Sequence, residues 1–138
     1  MVFHHKDTKG TKVEEEEKDG LSRRVIGLAM EVHRVVGPGL LESAYEECLC
    51  RELELATIPF ARQVPVSLDY KGASLTSAYR LDLVVDGRLV VEVKAVERLL
   101  PIHEAQLLTY LRLTGIRIGL LMNFNSTVLK DGLRRLVF

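Results

Sequence analysis

Cysteine is nearly absent from this 138-residue sequence, with Cys48 and Cys50 the only two. On a helix, positions two apart point to almost opposite sides, so this pair cannot make the clamp of a CxxC motif. Reduced, buried thiols in a cytoplasmic protein are the expectation. No apolar run approaches the length of a bilayer span, which predicts no membrane segment. The opening residues, MVFHHKDTKGTK, lack the apolar core of a secretory leader. An excess of one charge is missing too. The 19 basic and 19 acidic side chains cancel, so there is no global signature of a polyanionic partner. No P-loop, no GxGxxG turn and no zinc-spaced set of Cys and His occurs.

What is present suits one globular domain. Apolar residues make up 47% and charged residues 28%, and the chain is long enough to bury a core. The charge is unevenly spread. Residues 71–138 carry 10 basic and 6 acidic side chains, a net of +4, while residues 1–70 carry 9 and 13. The second half therefore leans towards a phosphate-bearing partner. Residues 1–20 are polar, with Glu14 to Glu17 in a row, and predict a disordered or frayed tail before a domain at 21–138. His4-His5 in such a tail is too little for a metal site.

The most informative stretch is Arg80 to Ala95, RLDLVVDGRLVVEVKA. It reads as two strands around a tight turn. A two-residue turn at Asp86-Gly87 would set Asp82 opposite Val91 and split the aliphatics between faces. A three-residue loop, Asp86-Gly87-Arg88, pairs Val85 with Leu89 and Asp82 with Glu92. It gathers Leu81, Leu83, Val85, Leu89, Val91 and Val93 on one side. Asp82, Glu92 and Lys94 then share the other face with Val84 and Val90. Adjacent acids on paired strands repel unless a positive charge lies between them. A divalent cation supplies one, and carboxylate oxygens suit Mg²⁺ or Mn²⁺. The alternative is a solvated face with a salt bridge from Lys94 to an acid.

The remaining elements follow from period and punctuation. Leu21 to Val36 has a helical stripe of Leu21, Val25, Leu28, Ala29, Val32 and Val36, with Ser22 near its start as a cap. Gly37-Pro38-Gly39 breaks it. A second helix spans about Glu42 to Ala56, with Leu41, Ala44, Tyr45, Cys48, Leu49 and Leu53 as its apolar face. Phe60 to Tyr70 reads as a strand that Pro65 demotes to a sheet edge. Lys71-Gly72 turns it into a second strand running on to Val85. Pro101 opens a helix through Thr114, with Ile102, Ala105, Leu108 and Leu111 facing inward and Gly115 ending it. Ile116 to Phe124 is nearly all apolar, as in a buried strand parallel to the Glu92 strand. Thr127 to Phe138 predicts a short helical turn and a last strand.

Several motifs occur together and in order. They are Gly39-Leu-Leu-Glu42-Ser-Ala-Tyr45, then Asp82…Glu92-x-Lys94, then Gln106-x3-Tyr110 and the Gly119 to Phe124 stretch. This set resembles the GxxExxY family of the PD-(D/E)xK, or restriction-endonuclease-like, nuclease superfamily, over about Leu21 to Phe138. The resemblance implies an α/β fold. Its core would be a mixed sheet with an antiparallel hairpin and a crossover helix, flanked by helices. It implies a metal-dependent nuclease with Asp82, Glu92 and the Val93 carbonyl holding Mg²⁺ or Mn²⁺. Lys94 would act on the attacking water, with Gln106, Tyr110 and Glu42 supporting the site. Glu42 also suits a plain role at a helix N-terminus, where an acid meets the positive end of the dipole. His103, near a helix start and on a different face from Gln106, is a weaker site candidate. The partner implied is nucleic acid, DNA ahead of RNA, with no membrane contact, and a homodimer would enlarge a small binding surface. The alternative function is a non-catalytic nucleic-acid-binding or assembly module that keeps the fold.

Overall fold

The computed structural model describes residues 9–138, with side chains from Gly20 onward apart from those of residues 77 and 78. The order is α1 (Lys9–Val36), α2 (Glu42–Leu55), β1 (Phe60–Tyr70), β2 (Ala73–Val85), β3 (Leu89–Lys94), α3 (Pro101–Thr114), β4 (Ile118–Asn123), a 3₁₀ turn (Leu129–Gly132) and β5 (Leu133–Val137). The five strands form one mixed sheet in sequential order, β1-β2-β3-β4-β5. β1, β2 and β3 are antiparallel neighbours, β3 and β4 are parallel, and β5 returns antiparallel. The parallel pair needs a crossover, and α3 supplies it. β1, which carries Pro65, lies at the sheet edge.

α1 reaches back to Lys9, well before the Leu21 start expected from the apolar stripe. The run Glu14 to Lys18 is rich in good helix formers, which favours helix N-terminal to the apolar stripe. Ser22 is therefore inside the helix and buried, not a cap. Residues 1–8 of the expected tail, with His4-His5, lie outside the described residues. Among the described residues no helix is long and apolar enough to cross a membrane.

The sheet is covered on both faces. On one, Val25, Ala29 and Val32 of α1 and Tyr45, Leu49 and Leu53 of α2 pack on Leu83, Val85, Leu89, Val91 and Val93. On the other, Leu107, Tyr110 and Leu111 of α3 pack on Val66, Val90, Leu121 and Leu136. Val84 and Val90, expected beside the polar groups, thus belong to a second core. Two helix faces differ from expectation. α2 buries Glu46 and Cys50, while Leu41 is 77% exposed. α3 buries Leu107 and Tyr110, while Ile102 is 57% exposed and Ala105 is exposed. α3 carries aliphatic residues on every side, so periodicity could not choose its inward face. The choice falls on Leu107 because Gly119 of β4 leaves room there. A Cβ on Gly119 would lie 2.8 Å from Leu107 Cδ1.

The chain after β4 is held close to it. The 3₁₀ turn closes over the end of β4, and a Cβ on Gly132 would lie 2.6 Å from the Asn123 carbonyl oxygen. That oxygen is backbone and cannot swing aside. Gly132→Ala is therefore expected to cost about 1–3 kcal/mol, as overpacking does. The measurement is urea unfolding, with a lower midpoint at unchanged slope. An unchanged midpoint would mean that this turn has slack.

Candidate metal centre

The β2–β3 hairpin has the three-residue loop. Val85 pairs with Leu89, Val84 with Val90 and Leu83 with Val91, so Asp82 comes opposite Glu92. Asp86 and Gly87 both have positive φ, 51° and 64°, and Arg88 N–H closes the loop on the Val85 carbonyl at 3.0 Å. The ladder stops at Leu83. Beyond it, side chains replace main-chain partners. The Asp82 N–H donates to Glu92 Oε1 at 3.0 Å, and the Val93 N–H donates to Asp82 Oδ2 at 2.8 Å. Each carboxylate is thus tied to the backbone of the opposite strand, in a gap where β2 and β3 part. Among the described residues, neither the other Asp82 oxygen nor the other Glu92 oxygen has a hydrogen-bond partner.

Burial and crowding dominate the electrostatics. Glu92 is 6% exposed and its carboxyl is pushed up to about 8, first by burial and then by the charge of Asp82. The Asp82 carboxyl is raised as well, by burial first, with Glu46 and Glu42 adding to it. The Val93 N–H and the Lys94 charge pull Asp82 back down. Lys94 is half-buried at the end of β3 and its charge is felt at both carboxyls. Among the described residues it joins no ion pair, so the expected alternative of a Lys94 salt bridge is not what the structure has.

The other expected residues fall at different distances from this pair. Glu42, in the first turn of α2, reaches across to β3, and its Oε2 accepts the Ala95 N–H at 3.1 Å. It therefore has the helix-start position and also borders Lys94. Tyr45 explains the rest of its motif. Its hydroxyl donates to the Gly37 carbonyl at 2.6 Å and accepts the Leu40 N–H at 3.0 Å, and its ring stacks on Phe124 at 4.7 Å. This fastens the loop that aims Glu42. Tyr110 is buried, packs edge-on against Tyr79 at 5.7 Å, and has its phenol raised by burial and by the charges of Glu92 and Asp82. Gln106, one turn earlier on α3, is exposed and makes no hydrogen bond among the described residues. His103 is not part of this group. Its Nδ1 accepts the Leu100 N–H at 2.9 Å and caps α3.

Two residues near the acids are given no role by the sequence alone. Glu46 is buried, accepts Arg62 Nε and Gln63 Nε2, each at 2.9 Å, and its charge reaches both Asp82 and Glu92. Its signal was its place one turn after Glu42, beside buried Tyr45. Asn123, also buried, accepts the Val96 N–H at 3.0 Å and donates to the Val96 carbonyl at 2.9 Å. It fastens the segment that leaves Lys94.

Among the described residues no three His, Cys, Asp or Glu side chains are grouped as a ready metal cage. The donor set fits a cation that brings its own water. Two hard carboxylates each keep one oxygen without a hydrogen-bond partner among the described residues; burial raises both, with the charge of Asp82 adding at Glu92 and those of Glu46 and Glu42 adding at Asp82. The Val93 carbonyl joins them by strand alternation. The Lys94 carbonyl accepts Phe124 N–H on the β4 side at 2.9 Å, while Val93 N–H points to Asp82. Val93 C=O therefore points towards Asp82 as well.

The raised Glu92 carboxyl has a consequence for stability. A proton held more tightly when folded stabilises the native state below about pH 4.5, and that contribution is lost as pH rises through about 8. Asp82, also raised, acts in the same direction. The metal-free protein is expected to melt at progressively lower temperature across this window, and Glu92→Gln to remove most of the slope. Thermal scans at a series of pH values check this, and a flat wild-type profile would contradict it.

The family model of the PD-(D/E)XK nuclease superfamily matches residues 19–136, which include every residue of the acid pair and its supports. No curated protein and no solved structure matches the chain. The mixed sheet, the antiparallel hairpin carrying Asp82 and Glu92, and the α3 crossover are those of a restriction-endonuclease-like fold. By this match over most of its length, the chain belongs to the PD-(D/E)XK nuclease superfamily.

Proposed function

We propose that this protein is a divalent-metal-dependent nuclease of the GxxExxY branch, hydrolysing nucleic-acid phosphodiester bonds. One observation carries the reading. Asp82 and Glu92 face each other across parted strands, each clamped by a backbone N–H of the other strand, and Lys94, whose charge is felt at both, joins no ion pair among the described residues. Asp82, Glu92 and the Val93 carbonyl would hold Mg²⁺ or Mn²⁺. When bound, the ion supplies Lewis-acid polarisation of a phosphodiester oxygen.

The chain's own groups do the rest. Asp82 and Glu92 must both be ionised for this role, so the raised Glu92 carboxyl gives up its proton as a cation enters. Lys94 Nζ orients the attacking water and offsets charge that builds on the phosphate. Glu42, tied to Ala95 N–H, limits where the Lys94 side chain and that water sit. Gln106 is exposed and free to meet substrate from α3, and Tyr110 walls the site against the second core. The substrate is nucleic acid, with DNA ahead of RNA. A homodimer would supply the gripping surface that one neutral domain lacks. That neutrality is also what favours the second reading, a binding module that retains the fold without cutting.

Purified protein with Mg²⁺ or Mn²⁺ is expected to cleave single- or double-stranded DNA or RNA. Asp82→Ala, Glu92→Ala and Lys94→Ala should each lower the rate by about a hundredfold or more while circular dichroism stays native. Calorimetric titration with Mn²⁺ should show binding that Glu92→Gln weakens. Binding of nucleic acid with no cleavage under any of these conditions would favour the module.

A further inference from the structure

Besides the register shift that it makes against β1 between Val66 and Leu68, strand β2 is distorted at Asp82. The Asp86 N–H donates to the Pro59 carbonyl, just before β1, at 2.7 Å. Alternation along a strand assigns the N–H groups of Val84 and Asp82 to that same side. Asp82 breaks the alternation, because its N–H goes to Glu92 on the other side. The side chains change sides at the same point. Leu83 lies in the core under α1 and α2, whereas Leu81, only two residues earlier, lies in the core under α3. β2 therefore rolls about its axis between Leu83 and Leu81.

The residue opposite the roll is Gln63. Arg62 pairs with Leu83 and Val64 with Leu81, so Gln63 comes level with Asp82. Gln63 has φ of 51°, the left-handed region that a side chain with a Cβ rarely enters. Its amide Nε2 donates to both oxygens of Glu46, at 2.9 and 3.2 Å, while Arg62 Nε and a terminal guanidinium nitrogen hold Oε2 at 2.9 and 2.7 Å. Glu46 is a buried acid on α2, so this anchor belongs to the packed interior and not to the strand edge.

We propose that Glu46 is a positioning residue for Asp82, acting through Gln63. By gripping the Gln63 amide it keeps β1 kinked level with Asp82. The kink takes the β1 partner away from Asp82 N–H and rolls β2, and the roll swings the Asp82 carboxyl into the gap before β3. There it meets Val93 N–H, and Asp82 N–H is released to Glu92. The structural part of this inference stands by itself, and its consequence for catalysis rests on Asp82 being a metal ligand.

Glycine separates this role from mere packing, because glycine takes a left-handed angle without help. The test is amide hydrogen exchange on the metal-free full-length chain. In Glu46→Ala, the Val93 amide should exchange about tenfold faster or more, while amides of β4 keep their protection. Adding Gln63→Gly to that variant should restore Val93. Unchanged protection in Glu46→Ala, or no restoration by glycine, overturns the proposal. Should Glu46→Ala fail to fold, Gln63→Ala and Gln63→Gly give the same contrast without touching α2. Alanine should lose Val93 protection and glycine keep it, and equal behaviour overturns the proposal. Mn²⁺ affinity by calorimetry should follow the same order. If no variant, nor the wild type, binds Mn²⁺ while the exchange pattern holds, the positioning role stands and the nuclease reading falls.

Discussion

The structure depends on a pair of hydrogen bonds that a regular sheet would not contain. Where β2 and β3 part, Asp82 accepts from the Val93 main chain and Glu92 accepts from the Asp82 main chain. Opening an antiparallel ladder normally leaves buried N–H groups without partners, which is costly. Here carboxylates take the place of the lost carbonyls. The sheet can therefore open without orphaned donors, and the groups that seal the opening are the ones able to hold a cation. Burial and repulsion raise both acids, so the pair is poorly satisfied until a positive charge arrives.

The surrounding elements serve to keep that opening in one geometry. Each strand end near it is fastened by a polar side chain from another element. Glu42 of α2 holds Ala95, Asn123 of β4 holds Val96, and Tyr45 holds the loop that leads into α2. All are anchors to main-chain atoms, and so they set position more than charge. Two hydrophobic cores back them, one against α1 and α2 and one against α3. With aliphatic packing on both faces, the sheet cannot relax into a flat ladder at Asp82 without displacing Leu81 from the α3 side.

Much of this was readable from residues in a row. The alternation of Leu83, Val85, Leu89, Val91 and Val93 required a three-residue loop, and the register agrees. Pro65 marked an edge, Gly115 a helix end and Pro101 a helix start, each because a single residue's backbone chemistry allows little else. The inward faces of α2 and α3 were read less well. α3 carries aliphatic residues on every side, and α2 buries Glu46 that any pattern of hydrophobicity assigns to solvent. A buried acid can be foreseen only when its partners are known, and Arg62 and Gln63 lie on β1, across a turn and a strand change. The sixth aliphatic, Leu81, lies under α3 and apart from the other five for a related reason. Period two assumes an unbroken strand, and the roll at Asp82 comes from a kink in the neighbouring strand.

The sequence alone therefore determined that Asp82 and Glu92 would meet, because strand period and turn length are local properties of the chain. Tertiary structure decided how they meet. The insertion of each carboxylate into the opposite backbone depends on where the hairpin opens, the Glu46–Gln63 contact joins α2 to β1, and the approach of Glu42 to Ala95 joins residues 53 apart. Such contacts depend on how helices settle on a twisted sheet, and no local period encodes that placement.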